Sequence, residues 1–326
     1  MNITRRRSIR LAALLCTLTG LLSAPTVGAQ AFPNRPIRLV VPYGPGGATD
    51  ILGREIAQKM SEVLGQTVFV DNKAGASGSI GTDFVAKAPP DGYTLIMATI
   101  GSQAINPVLY ANLPYDVNRD FAAVGLALTN HFVLAVHPSV PARTIPELAN
   151  YSKSKDLFIG TAGFQQQLFG AVLTAHSGLK MTNVPYKGTA PALVDLAAGN
   201  IQVGFTDIAG AVPHIQSGKI VPIAVSGTKR FAALPNVPTV GEAAKTPELD
   251  ASGWMGILAP AGTPSAVIAT LNSALIKVLA APEMRDKFAP FGAEPKSSTP
   301  QEFGAFIRDE VTKWGRVAKA AGIKAD

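Results

Sequence analysis

The stretch Leu39-Val40-Val41-Pro42-Tyr43-Gly44-Pro45-Gly46-Gly47-Ala48-Thr49-Asp50 passes from β-forming residues through a glycine-rich turn into a helical pattern. The chemistry this arrangement offers is anion binding. The first N–H groups of a helix have no acceptor inside the helix, and the helix dipole adds partial positive charge there. Gly46 and Gly47 carry no Cβ, so a ligand oxygen can approach the backbone closely. The plain alternative is a tight strand-to-helix turn that binds nothing, and the loop by itself does not separate the two.

Three anions compete for such a loop. A triphosphate needs the Lys-Ser/Thr ending of a P-loop, and Ala48-Thr49-Asp50 stands in that region instead. A dinucleotide is the stronger rival: Gly44-x-Gly46-x-x-Thr49 half-matches G-x-G-x-x-G, and Asp71 sits where a ribose-binding acid belongs. Thr49 in place of the third glycine hinders close helix–strand packing, and Pro45 has no N–H to offer inside the turn. A small carboxylate remains, and it needs only two or three donors and room.

Further donor-rich loops follow strand-like segments. Gly75-Ala76-Ser77-Gly78-Ser79-Ile80-Gly81 leads into a helix, and Thr99-Ile100-Gly101-Ser102 follows an apolar run. In the middle of the chain Gly160-Thr161-Ala162-Gly163 is followed by Phe164 and by Gln165, Gln166 and Gln167. Several neutral donor loops converging on one cleft would hold a carboxylate without a buried Lys or Arg. Catalytic patterns are missing from the sequence. There is no G-x-S-x-G, H-E-x-x-H, C-x-x-C or EF-hand loop, and His131, His137, His176 and His214 are scattered. Asp83, Asp195 and Asp207 are acids that no pairing pattern singles out. No enzyme activity, metal or cofactor is expected.

The elements that must position these loops alternate between strand and helix, which predicts α/β layers with mostly parallel sheets. Strands are expected at Ile37 to Val41, Thr67 to Val70, Tyr93 to Ala98, Phe132 to Val136 and Val221 to Val225. Leu52, Ile56, Met60 and Val63 recur at helical spacing, as do Phe303, Phe306, Ile307, Trp314 and Val317. Thr144-Ile145-Pro146-Glu147 and Thr299-Pro300-Gln301-Glu302 read as capping boxes, and Thr263-Pro264 as another helix start. The crossings at Phe132 and Val221, about ninety residues apart, suggest a chain that leaves one lobe, builds a second and returns. A cleft between two such lobes is the default ligand site.

The first residues read as an export leader. Arg5, Arg6, Arg7 and Arg10 precede the apolar run Leu11 to Leu22, and small-x-small cleavage sites follow. Cleavage is expected after about residue 29, by the general or the twin-arginine route, with a periplasmic product. Cys16 is the one cysteine and lies in this leader. Without the four leader arginines the chain keeps 25 basic against 22 acidic residues. No basic run with interleaved aromatics remains, so no nucleic-acid partner is expected.

With these residues in view, a family emerges. "PNRPIRLVVPYGPGGATDILGREIAQKM" and "LGQTVFVDNKAGASGSIGTDFVAKAPPDGYTL" resemble the tripartite tricarboxylate transporter substrate-binding proteins, the Bug family. The resemblance continues through "INPVLYANLPYD", "NVPYKGTAPALVDLAAGNIQV", "ALPNVPTVGEA" and "GILAPAGTP" to "STPQEFGAFIRDE". It implies a two-lobed, type II-like periplasmic binding protein, hinged like a flytrap. Residues 32–130 plus 254–326 would form one lobe and 131–253 the other, with hinge crossings near 125–136 and 221–255. It implies a monomer that captures a small mono- or dicarboxylic acid, or an acidic amino acid, and delivers it to membrane permease subunits. The alternative partner is a sensor kinase, and an exported nucleotide-dependent oxidoreductase is the remote rival.

The resemblance also implies site residues. One carboxylate would be held by the first strand–helix loop, mapped onto Tyr43, Gly44, Gly46, Gly47, Ala48, Thr49 and Asp50. The family's second anchoring loop maps onto Gly78-Ser79-Ile80-Gly81, with Ser79 where Asn is usual, and from the donor-rich loops Ser77 and Ser102 are expected beside it. From the other lobe come Thr161, Ala162, Phe164, Gln165 and Gln166, with Thr206 and Asp207. Two departures bear on the ligand: Phe164 to Leu168 is shorter than the family's Gly-Ser-rich segment, and Thr206 stands where Asp is common.

Overall fold

The computed structural model describes residues 32–161, 164–186, 188–245, 250 and 252–323, with backbone only at Phe164 and Ala321. The leader and Cys16 lie outside the described residues.

In chain order the first lobe begins β1 (Ile37–Val41), α1 (Ala48–Leu64), β2 (Val68–Asn72), α2 (Ser79–Ala86), β3 (Thr94–Thr99), a π-helical turn (Gly101–Ile105), α3 (Asn106–Leu109) and β4 (Phe121–Asn130). The second lobe holds β5 (Phe132–Val136), α4 (Ile145–Tyr151), β6 (Phe158–Thr161), α5 (Phe164–Ser177), β7 (Thr182–Pro185), α6 (Thr189–Ala198), β8 (Val203–Asp207), α7 (Ile208–Gln216), β9 (Val221–Val225) and α8 (Val240–Ala244). The chain then returns through β10 (Gly253–Pro260), α9 (Ser265–Ala280), α10 (Pro282–Phe288), β11 (Ala293–Pro295) and α11 (Pro300–Ala321).

The strands form two sheets, β11-β4-β10-β3-β1-β2 and β7-β6-β8-β5-β9. Both are mixed, where mostly parallel pairing was expected. In the first sheet β1 to β4 run one way and β10 and β11 run against them. In the second, only β5 opposes the other four. The reversals have a topological cause. β4 leads straight into β5, and β10 brings the chain back, so each sheet must admit strands laid opposite to the βα repeat.

Register places the functional loops. Asn130, the last residue of β4, lies opposite Gly253, and Thr99 at the end of β3 lies opposite Met255. In the second sheet Phe132, the first residue of β5, lies opposite Asp207. His131 alone separates Asn130 from Phe132. The C-terminal edges of the parallel strands in both sheets are therefore the edges that face each other, which is where open α/β sheets bind ligands.

Apolar burial fixes both sheets. Leu52, Ile56 and Met60 of α1 are fully buried, and Phe303, Ile307 and Trp314 of α11 are buried on the other face. Val63, placed on the same stripe by spacing, is 42% exposed, because α1 is ending there.

The seam between lobes centres on His131. Its N–H donates to Gly292 O (2.9 Å) in the first lobe, and its C=O accepts from Ile208 N–H (3.2 Å) in the second. Ser226 Oγ accepts from Phe132 N–H at 2.8 Å. On the return, Asp250 accepts from the N–H groups of Gly227 and Ser252. Away from His131, α5 packs against α11 and the π turn, with Leu168 buried among Ile100, Ala104, Trp314 and Ala318.

Candidate functional site

The first loop is built around Asp50. Gly47 is the N-cap of α1 with extended backbone (φ −78, ψ 165) and no side-chain cap. The first helical bond is Ile51 N–H to Gly47 O at 3.0 Å, so the amides of Ala48, Thr49 and Asp50 find no acceptor within the helix. Asp50 does not turn back to cap them. Its buried carboxylate accepts Gly46 N–H (2.9 Å), Asn72 Nδ2 (2.9 Å) and Arg54 Nε (3.2 Å), and pairs with the Arg54 guanidinium at 2.9 Å. Burial pushes the Asp50 carboxyl up, but the hydrogen bonds from Arg54, Gly46 and Asn72 outweigh it and hold it below the ordinary carboxylate range. Arg54 also offsets the negative charge that would otherwise repel an anion.

The loop conformation depends on glycine. Gly46 has φ +85, and a Cβ on Gly44, Gly46 or Gly47 would point into space clear of close neighbours. The backbone is exposed from Gly44 to Ala48, with Thr49 half-buried. Small residues here therefore serve conformation and open access rather than core packing.

Tyr43 gathers the neighbouring loops. Its hydroxyl bonds to Thr99 Oγ1 at 2.9 Å, its ring edge lies where a Cβ on Gly78 would meet it at 3.3 Å, and the hydroxyl would meet a Cβ on Gly101 at 3.0 Å. Burial raises the phenol's pKa, partly offset by the Thr99 bond, so it stays neutral. In the second loop Ala76 and Ser77 have positive φ (45 and 54) between Gly75 and Gly78. Asn106 Nδ2 braces this turn on Ser77 O (2.9 Å) and Ser79 Oγ (3.4 Å), and Ser77 Oγ meets Tyr110 Oη at 3.1 Å. Gly78 is the N-cap of α2, again without a side-chain cap. Asn106 was missed in the sequence; it became visible only through this long-range brace.

Ser102 corrects the sequence reading. It is fully buried, and its hydroxyl is engaged with the backbone and Oγ1 of Thr99. Its carbonyl accepts Tyr115 Oη at 2.7 Å. It locks the π turn from inside and presents nothing to the cleft. Spacing alone made it look like a donor because a hydroxyl that folds the turn and one that faces a ligand have the same sequence.

The second lobe supplies the facing edge. Thr161 ends β6 and is buried. Ala162 lies outside the described residues, and Phe164 is placed by its backbone alone at the start of α5. Gln166 is buried and Gln165 half-buried. Thr206 is buried at the penultimate position of β8. Asp207 is the N-cap of α7 and makes no side-chain cap. Its Oδ2 accepts Thr189 Oγ1 at 2.7 Å, and burial raises its pKa, partly offset by that bond. Thr189 opens α6 behind Gly188, an N-cap that also lacks a side-chain acceptor.

Helices α1, α2, α6 and α7 start at the facing edges without side-chain caps. Of the other helices, α4, α8 and α11 are capped by Thr144, Thr239 and Thr299, while α3, α9 and α10 also start without a side-chain cap. A cavity of about 940 Å³ runs between α5 and α11 and meets the candidate residues at Thr161 and Gln166. Among the described residues no cluster of His, Cys, Asp and Glu is arranged to hold a metal.

Comparison with known proteins bears on this geometry. Residues 52–323 match the model of the tripartite tricarboxylate transporter family receptor. Protein BugT of Bordetella pertussis is 33% identical over 329 residues, covering 99% of both chains. Among solved structures, the R. palustris protein Rpa4515 with adipate is 35% identical (TM-score 0.79; 90% of this chain, 99% of that one). The periplasmic binding protein BugD is 34% identical (TM-score 0.75; 90% and 100%). MatC of Rhodopseudomonas palustris with bound malate is 31% identical (TM-score 0.73; 88% and 99%).

Proposed function

The chain belongs to the tripartite tricarboxylate transporter receptor family, and from that premise we propose that it is a periplasmic solute-binding protein that captures a small carboxylic acid between its lobes for a tripartite transporter. The observation that carries this reading is the start of α1. Its amides are uncapped, they lie at the edge facing the other lobe, and Asp50 braces the loop from the side while Arg54 offsets its charge. A carboxylate supplies the missing acceptors. The adipate and malate held by two relatives support an acid of this size.

Magnitudes favour a two-lobed grip. A hydrogen bond to a charged group contributes roughly 1.5–3 kcal/mol, and micromolar affinity requires about 8 kcal/mol net of the costs of association. Two or three amides at α1 fall short by themselves. Contacts from the facing edge at Thr161, Thr206 and Asp207 would add the rest, and only the closed form makes both sets, so ligand stabilises closure. Residues 32–130 plus 254–326 would move against 131–253, with the pivot at His131 and the return near Asp250. The closed face is then what permease subunits recognise. The arginine-led leader would carry the chain to the periplasm, where it acts as a monomer.

Calorimetry against a panel of small mono- and dicarboxylates tests this, using protein unfolded and refolded to strip carried-over ligand. Micromolar binding of at least one acid is expected. A refolded protein that binds none would overturn the proposal.

A further inference from the structure

Asn72 ends β2, and the register of the first sheet sets it opposite Val41, the last residue of β1. The loop that begins at Pro42 therefore starts beside it. Its side chain reaches both ends of that loop. Nδ2 donates to Tyr43 O at 3.1 Å and to Asp50 Oδ1 at 2.9 Å, while Oδ1 accepts Arg54 Nη2 at 2.9 Å. Both amide protons are engaged, so no donor is left for a ligand. The amide has one orientation. Turned over, its oxygen would face two acceptors and its NH2 a guanidinium.

The second loop is tied to the same strand end. Lys73 N–H donates to Val41 O at 2.9 Å. Gly81, in the first turn of α2, packs so closely here that a Cβ would meet Lys73 O at 2.7 Å and Pro42 Cα at 2.9 Å. The second loop thus begins and ends beside the start of the first. Asp71, on the other face of β2, pairs with Arg38 and Lys73. Asp50 and Arg54 are the charged groups bonded to the Asn72 amide.

We propose that Asn72 is the positioning residue for carboxylate capture: it fixes the span from Tyr43 to Asp50, and so the direction of the amides at the start of α1, in one frame with the second loop. This rests on the reading that the α1 loop holds the ligand's carboxylate. An amide suits the place because it donates to Asp50 and accepts from Arg54 without adding charge beside an anion. An aspartate has the same shape and, when ionised, can only accept. Set against the Asp50 carboxylate, it would share a proton with it above the ordinary carboxylate range.

The test is titration calorimetry of wild type, Asn72→Ala and Asn72→Asp at about pH 8 and about pH 5.5. The probe is the tightest-binding acid of a panel of small mono- and dicarboxylates that includes adipate and malate. Thermal melts establish that each protein is folded at the temperature used. A residue serving stability alone would lower the melting temperature and leave the affinity of folded protein unchanged. Asn72→Ala is expected to bind at least about fivefold more weakly than wild type at both pH values. Asn72→Asp is expected to bind at least about tenfold more weakly at the higher pH and to regain at least about threefold relative to wild type at the lower, as the new carboxylate and that of Asp50 come to share a proton. A smaller loss for Asn72→Ala, or an Asn72→Asp deficit that does not change with pH, would overturn the positioning role while leaving carboxylate capture intact. Binding of no acid by folded wild type would overturn the capture reading and the positioning role with it. Should Asn72→Asp fail to fold, the affinity of Asn72→Ala decides.

Discussion

Asp50 accepts the N–H of Gly46 at 2.9 Å while standing in the first turn of the helix it leaves uncapped. A carboxylate at this position commonly reaches back to the N-cap amide. Here it reaches one residue further, to an amide outside the helix, and so shapes the loop without filling the anion position.

Replacing that carboxylate separates its roles. Asp50→Ala leaves Gly46 N–H without its acceptor and takes one acceptor each from Asn72 and Arg54, which keep Tyr43 O and Asn72 Oδ1. Arg54 is half exposed, so water recovers part of the loss, and a destabilisation of about 2 kcal/mol is expected. Denaturant titration checks this, and ligand affinity should fall in parallel because Gly46 is no longer held.

The same residue sets a pH dependence. Its folded pKa lies below the unfolded value of about 3.9. Its contribution is therefore fully present above that value and is lost as pH falls through the folded pKa. Wild-type stability should decline between about pH 4 and lower values more steeply than that of Asp50→Asn. Urea midpoints across that window measure the difference, and parallel curves would contradict it.

Beside His131, Gly292 has φ +61, and a Cβ there would run into the side chain of Ile208. Gly292 O also receives the His131 N–H. Gly292→Ala combines backbone strain with overpacking and should cost about 2–3 kcal/mol. Small-angle scattering should show a larger radius of gyration for the liganded variant than for liganded wild type, since the clash lies between lobes.

Glu310 offers a check on the α11 side. Its Oε2 accepts the indole N–H groups of both Trp254 (3.0 Å) and Trp314 (3.1 Å), and the carboxylate pairs with Lys313. Glu310→Ala strands two buried donors, at an expected cost of about 2–4 kcal/mol. Chemical denaturation followed by tryptophan emission measures it, and a loss below about 0.5 kcal/mol would contradict the shared role.

Legibility in the sequence tracked the range of the interactions. Ile37 to Val41, Phe132 to Val136 and Val221 to Val225 were bounded correctly because local apolar runs end at proline, histidine or serine. The Thr299–Glu302 box forms as read. At Thr144 only half does: Thr144 accepts Glu147 N–H, while Glu147 reaches past the cap to Arg143 N–H at 2.7 Å. The Thr239–Glu242 box passed unread. Mixed sheet pairing was hidden because it depends on which distant strands meet. The glycine loop, the uncapped helix start and the family were legible from composition and order. The inward turn of Ser102 and the reach of Asn72 to Tyr43 and Asp50 were not, since both depend on packing between segments remote in the sequence.

Capture of the acid depends on the open amides at the start of α1, and Gly47→Asp tests them most directly. The backbone at Gly47 already has the extended geometry of an N-cap, and a Cβ there meets nothing closer than 4.0 Å. An aspartate would supply its own carboxylate to the Thr49 and Asp50 amides. The predicted result is a ligand-free protein more stable by a few tenths of a kcal/mol, with affinity for the acid found by calorimetry lower by at least about tenfold. A stabilised variant that binds that acid as tightly as wild type would show that these amides do not hold it.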